Sequence, residues 1–183
     1  MRRLFVGISV SEELKRNIAP FLQEIQEVGG PLAVVPVGNL HLTLKFLGGV
    51  GHNLVPKIQE RLLELKNSLN GKKLALRLQG VGVFPDQKNP KILWVGGGSE
   101  IIQLMQEAER IFADIAPKEY EKDVPHITVA RAKAPVRKEV LLALLNKYKN
   151  HQFGNMIVGR ITLFESIPTT KGSVYKPMYD VEV

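Results

Sequence analysis

The pattern His–apolar–Thr–apolar occurs twice in this chain, as His41-Leu42-Thr43-Leu44 and His126-Ile127-Thr128-Val129. Around each copy the periodicity of apolar residues runs in one order: strand, helix, strand with the motif, helix, strand. In the first copy, residues 3–9 read as a strand, and Ser11 caps a helix over 12–28 with Glu12 and Glu13 in its first turn. His41–Leu47 alternates as a strand ended by Gly48-Gly49. Leu54, Ile58, Leu62, Leu65 and Leu69 mark a helix over 54–69, and Lys73–Phe84 a long strand in which Gly80 and Gly82 suggest a bulge. After the turn "PDQKNP" the order repeats. Ile92–Gly96 is a strand, Ser99 caps a helix over 100–115, His126–Ala130 is a strand, 136–149 a helix and Phe153–Phe164 a strand. A last strand covers about 174–182. Corresponding starts pair as 3 with 91, 11 with 99, 41 with 126, 54 with 136 and 73 with 153.

A period this long excludes a solenoid and points to duplication within one domain. The expected class is α+β: a single domain over 1–183 with two pseudo-symmetric lobes, repeat units 3–84 and 91–164. Each lobe is an antiparallel sheet with its helices packed outside, and the cleft lies between the lobes.

Side chains alternate faces along a strand. His41 and Thr43 therefore share one face and Leu42 and Leu44 the other; His126 and Thr128 stand likewise opposite Ile127 and Val129. Burying the apolar sets turns both His–Thr pairs toward one cleft. Histidine titrates near neutral pH, so one ring can accept a proton while the other donates. Threonine hydroxyls can hydrogen-bond phosphate oxygens and the charge that develops on them. The set suits phosphodiester chemistry by acid and base.

Other readings carry less. His52 and His151 lack a Thr two residues on and read as solvated surface residues. No H-x₃-H or H-E-x-x-H spacing occurs, so no metal site is expected; Asp123 falls in the loop before His126. Gly96-Gly97-Gly98 lacks the lysine of a phosphate loop and reads as a strand-to-helix turn. The formal charge of +7 favours polyanionic partners. With no cysteine the chain has no disulfide, thiolate metal site or cysteine nucleophile. The opening "MRRLFVGISVSEELKR" does not read as a signal peptide, and no run approaches the ~18 apolar residues of a membrane span.

The duplicated motif and its flanks resemble the 2H phosphoesterase superfamily, in particular its RNA 2′,3′-cyclic phosphodiesterase branch, also described as bacterial and archaeal 2′-5′ RNA ligase. The likeness covers nearly the whole chain: "RLFVGISVSEELK", "VGNLHLTLKFLGGV", "GVGVFPDQKNPKILWVG", "VPHITVAR" and "SIPTTKGSVYKPMYDVEV". One stretch departs: "PLAVVPVGNL" has no large aromatic residue where the family often carries one.

The resemblance implies that His41 and His126 are the acid–base pair and that Thr43 and Thr128 hold the phosphate. Arg131, in "HITVAR", is a candidate phosphate contact by position. Regular alternation opposes this, since Arg131 lies three residues after Thr128; a bulge or strand end at Ala130 would bring it back. Lys45 has the parity of His41 and reads as a solvated lysine, whereas Phe46 has the parity of Leu42 and reads as core. Phe84 and Tyr175 are candidate nucleobase contacts, with packing as the competing role.

The implied reaction opens a terminal 2′,3′-cyclic phosphate to a 2′-phosphomonoester without metal or cofactor, with a bell-shaped pH profile around neutrality. A 5′-hydroxyl in place of water would give ATP-independent 2′-5′ ligation. The expected partner is RNA with a cyclic phosphate end, tRNA halves included, or a cyclic nucleotide; the expected protein is a cytoplasmic monomer. Two alternatives stand: a non-catalytic RNA-end-binding module, and a phosphodiesterase for another cyclic or 2′-5′ nucleotide, such as ADP-ribose 1″,2″-cyclic phosphate.

Overall fold

Both motif strands lie at the centre of one antiparallel sheet, adjoining at the single residue pair Leu42–Ile127. The computed structural model describes residues 1–117, 123–170 and 172–183. Within them the elements are β1 (Arg2–Ser9), α1 (Glu12–Val28), β2 (Leu32–Val34), β3 (His41–Val50), α2 (Val55–Ser68), β4 (Ala75–Phe84) and β5 (Ile92–Gly97). There follow α3 (Ile102–Ile111), β6 (His126–Ala132), α4 (Lys138–Tyr148), β7 (Gln152–Ile157), β8 (Arg160–Thr169) and β9 (Gly172–Glu182). No helix among the described residues is long and apolar enough to cross a membrane.

The strand order is β7-β4-β5-β6-β3-β1-β8-β9, with β2 added to the far end of β6. The sheet is therefore two four-stranded halves placed edge to edge at the motif strands. Each half draws on both repeats. β4, the last strand of the first repeat, pairs with β5, the first strand of the second; β8 pairs with β1 in the same way. The helices cross over to match. α1 packs on the half that holds β6 and β7, and α3 packs on β3 in the other. Exchange of this kind ties the halves together, because neither repeat can bury its helices alone.

Local sequence accounts for most boundaries. The Ser11 hydroxyl accepts the Leu14 N–H at 3.3 Å and starts α1, whose Leu14, Ile18, Phe21, Leu22 and Ile25 bury one stripe. Gly29, with φ of 65°, ends it. Three expectations need correction. Ser99 caps nothing: a 3-10 turn over Ser99–Ile101 tightens the chain first, and α3 ends at Ile111 instead of residue 115. Phe153–Phe164 is not one strand. It breaks at Val158-Gly159, because β7 pairs with β4 in one half and β8 with β1 in the other. β2, three residues long, is too short to show a period in the sequence.

The core lies between the sheet and its helices. Leu42, Leu44, Ile127 and Val129 are all within it, so the apolar sets of both motifs are buried as expected. Each such side chain contributes roughly 1.5–3 kcal/mol by leaving water. That burial aims His41, Thr43, His126 and Thr128 out of the opposite face.

Candidate active site

The pairing of Leu42 with Ile127 sets the site's plan. In that antiparallel register His41 falls opposite Thr128, and Thr43 opposite His126, so the two imidazoles occupy diagonal corners. Diagonal neighbours across a regular antiparallel pair are about 7–8 Å apart, which leaves room for one phosphate group. The predicted quartet is thus brought together, two residues from each repeat.

Both rings are held alike. His41 Nδ1 lies 2.7 Å from the Asn39 carbonyl, and His126 Nδ1 lies 2.7 Å from the Val124 carbonyl. A carbonyl oxygen can only accept, so each Nδ1 carries the proton and Nε2 is left for chemistry. The sequence reading did not include these partners. The signal available was a turn-forming stretch just before each motif, Pro36 to Asn39 and Asp123 to Pro125.

Aromatic rings wall the histidines. Phe5 and Tyr175 lie 4.8 and 4.7 Å from His41, ring centre to ring centre, with Phe164 at 6.2 Å. Phe84 stands edge-on to His126 at 4.9 Å, and Trp94 lies at 6.4 Å. Trp94 rests on Gly82, where a Cβ would come within 2.2 Å of the indole. Phe84 and Tyr175, the two candidate base contacts, therefore both touch a catalytic-candidate imidazole and are half-buried. Phe5, Phe164 and Trp94 were missed. The one usable signal for Trp94 was the chain's single tryptophan placed in a strand beside the second motif.

Enclosure by these rings lowers the His41 pKa from 6.5 to about 4, chiefly by desolvation. The Asn39 carbonyl opposes the drop, while the charges of Arg131 and His126 add to it. His126 is lowered too, by burial and then by Arg131, against the pull of the Val124 carbonyl. Both rings are neutral at neutral pH.

A β-bulge in each motif strand decides what stands beside the quartet. Val6 pairs with Lys45 and Gly7 with Thr43, so Leu44 is an extra residue in β3. Leu93 pairs with Ala130 and Trp94 with Thr128, so Val129 is extra in β6. Both bulges fall on the fourth motif position and invert the alternation beyond it. Arg131 accordingly returns to the face of His126 and Thr128, where its charge reaches both imidazoles. Phe46 comes to the matching place in the other half. It is 41% exposed, not core, and lies 6.1 Å from Phe5. Lys45 goes the other way. It is 2% exposed, not a solvated rim lysine, and its Nζ donates to Glu109 at 2.7 Å and to the Pro117 carbonyl at 2.8 Å.

The remaining candidates do not join the site. His52 lies exposed in a short turn before α2, and His151 is exposed beside Tyr148 and Phe153. Among the described residues no three His, Asp or Glu side chains converge as metal ligands.

Fold and quartet together define a 2H phosphoesterase-type protein, and comparison with known proteins makes the assignment specific. The chain belongs to the family described as the AKAP7 2′5′ RNA ligase-like domain, whose model matches residues 8–183. It is 34% identical over 180 residues to an RNA 2′,3′-cyclic phosphodiesterase of Archaeoglobus fulgidus, covering 96% of this chain and 97% of that one. An RNA 2′,3′-cyclic phosphodiesterase of Aquifex aeolicus is 33% identical over 179 residues, covering 94% and 93%. In architecture the chain is similar to a Thermus thermophilus protein of known structure, with a TM-score of 0.80 at 24% identity over 98% of this chain and 97% of that one. Escherichia coli LigT in its apo form gives a TM-score of 0.71 at 23% identity over 99% and 96%.

Proposed function

We propose that this protein is an RNA 2′,3′-cyclic phosphodiesterase that opens a terminal cyclic phosphate to a 2′-phosphomonoester. The observation that carries the reading is the pair of imidazoles at diagonal corners of the Leu42–Ile127 register, each anchored through Nδ1 on a backbone carbonyl so that Nε2 is left for chemistry. One Nε2 takes a proton from water as its oxygen attacks phosphorus. The other, protonated, gives its proton to the departing ribose 3′ oxygen. The bond from phosphorus to that oxygen breaks, and the 2′ ester remains. The Thr43 and Thr128 hydroxyls donate to the non-bridging oxygens, and Arg131 supplies the positive charge that a phosphodiester needs. Phe46, Phe84 and Tyr175 are the apolar surfaces open to a nucleobase.

The depressed pKa values fit this chemistry when the substrate is counted. A protonated acid is scarce before substrate binds, and the phosphodiester anion lifts the pKa of the ring it approaches. The reaction needs no metal in this scheme, since both proton transfers fall to histidine. A 5′-hydroxyl in place of water would form a 2′-5′ linkage without ATP, the strained ring supplying the driving force. RNA ends such as those of tRNA halves, met by a cytoplasmic monomer, are the proposed physiological setting.

The test is an assay in EDTA on an RNA oligonucleotide ending in a 2′,3′-cyclic phosphate, with 2′- and 3′-phosphate products resolved. The wild type is expected to give the 2′-phosphate, and His41→Ala and His126→Ala each to lose ~10²-fold or more. Tight binding without turnover by the folded wild type would instead establish an RNA-end-binding module. Turnover confined to ADP-ribose 1″,2″-cyclic phosphate would move the substrate class.

A further inference from the structure

A polar pocket of about 390 Å³ opens on the sheet beyond His126, on the side away from His41. Its lining includes Arg77 and Gln79 of β4, Ser99 and Glu100 ahead of α3, and Lys149 just after α4. Leu76 and Leu78 are buried in the core, so Arg77 and Gln79 point from the face that carries His126. Between them and His126 lies β5, whose residue directly opposite His126 is Gly96. Gly96 adds no side chain of its own there, and the edge of the Trp94 indole, 3.4 Å from where a Gly96 Cβ would lie, flanks the path from the imidazole to the pocket. The separation is two strand spacings, ~10 Å, which one or two nucleotides of extended RNA can cover.

The fold brings the pocket's two cations together. Gly80 adopts φ of 69°, and a Cβ there would lie 2.7 Å from the Lys149 carbonyl oxygen. The bulge at Gly80 thus lets the end of α4 settle on β4 and delivers Lys149 to the pocket. Among the described residues neither Arg77 nor Lys149 makes an ion pair. Glu100, the acid in the lining, accepts the Arg77 backbone N–H at 2.9 Å. The helical face of the other half differs: there Lys57 and Arg61 share Asp114, Arg110 is bridged to Glu107 and Lys45 to Glu109. Those four cations are paired, whereas among the described residues Arg77 and Lys149 are not.

The geometry points to a second phosphate-binding site, in which Arg77, Lys149 and the Ser99 hydroxyl hold a backbone phosphate of the RNA on the 5′ side of its cyclic end. The inference rests on the reading of the cleft as a phosphodiesterase site. It adds that the enzyme distinguishes a polynucleotide end from a cyclic mononucleotide, because a mononucleotide has no second phosphate to place there.

The experiment compares wild type with the Arg77→Gln/Lys149→Gln double variant on two substrates. One is a six-nucleotide RNA with a 2′,3′-cyclic end; the other is 2′,3′-cyclic AMP. The variant is expected to lose about tenfold in kcat/KM on the RNA, mainly through KM, and to keep its rate on cyclic AMP. Binding of the RNA 2′-phosphate product, followed by fluorescence anisotropy between 50 and 300 mM salt, is expected to show a log–log slope shallower by about 0.7, one phosphate contact on a single strand. Equal losses on both substrates, or an unchanged affinity and slope, would overturn the inference. Wild type inactive on both substrates would overturn the phosphodiesterase reading instead, and the anisotropy result would still decide the pocket.

Discussion

Acidification should destabilise this protein through its own candidate active site. His41 has a folded-state pKa of about 4 against 6.5 unperturbed, so between those values the unfolded chain binds the proton more readily. Stability is then complete above 6.5 and is lost as the pH falls toward the folded value. At about 1.4 kcal/mol per pH unit the loss from His41 is about 2 kcal/mol at pH 5 and about 3 kcal/mol at pH 4. Carboxylates also titrate in this range, so the measurement is a difference. Urea unfolding of wild type and His41→Asn is followed from pH 7 to pH 4, and the wild type should lose about 3 kcal/mol more than the variant. His126 is lowered by the same cause and should behave in the same direction. An NMR titration of the free protein reads the ring directly. If His41 titrates near 6.5, or the two unfolding profiles run parallel, the ring is not desolvated as Phe5, Phe164 and Tyr175 imply.

Replacing the Arg131 guanidinium by the apolar stem of Arg131→Met should raise both histidine pKa values and shift the kcat/KM profile toward higher pH, with a loss of about 10²-fold in kcat/KM; an unmoved profile would place the guanidinium away from the rings. Removing the buried Lys45 ammonium in Lys45→Met leaves the Glu109 carboxylate without its partner and should cost about 3 kcal/mol in urea unfolding. Lys45→Met/Glu109→Gln should recover most of that loss, and a cost below about 1 kcal/mol for the single variant would mean that water already screens the pair.

Lys45, Phe46 and Arg131 show where sequence reading stops. Strict alternation from the motif makes Lys45 a solvated lysine and Phe46 core, and one extra residue at Leu44 reverses both. Alternation also opposes Arg131, a candidate that needs a bulge or strand end, and the extra residue at Val129 is such a bulge. A bulge is selected by the partner strand. Gly7 at the Thr43 pair would, with a Cβ, come within 2.8 Å of the Leu42 carbonyl, so the close approach of β1 to its neighbour β3 shapes the kink. No window along β3 alone contains that information. The same holds for Phe153–Phe164, which alternates as one strand yet divides at Gly159 because its ends pair in opposite halves.

Local sequence carries the duplicated order of elements, the α+β class, and the choice of His41, Thr43, His126 and Thr128 as the candidate quartet. Each rests on a local quantity: a periodicity of two or 3.6, a cap, a spacing of two between His and Thr. Contacts between distant segments make the repeats exchange strands and helices, and enclose both imidazoles, each fixed through Nδ1 on a backbone carbonyl, so that they stay neutral. They also set which cations face the cleft and which are sealed in ion pairs. Those are properties of residues far apart in the chain, set by ladder register and burial, and they exist only once β3 and β6 meet at Leu42 and Ile127.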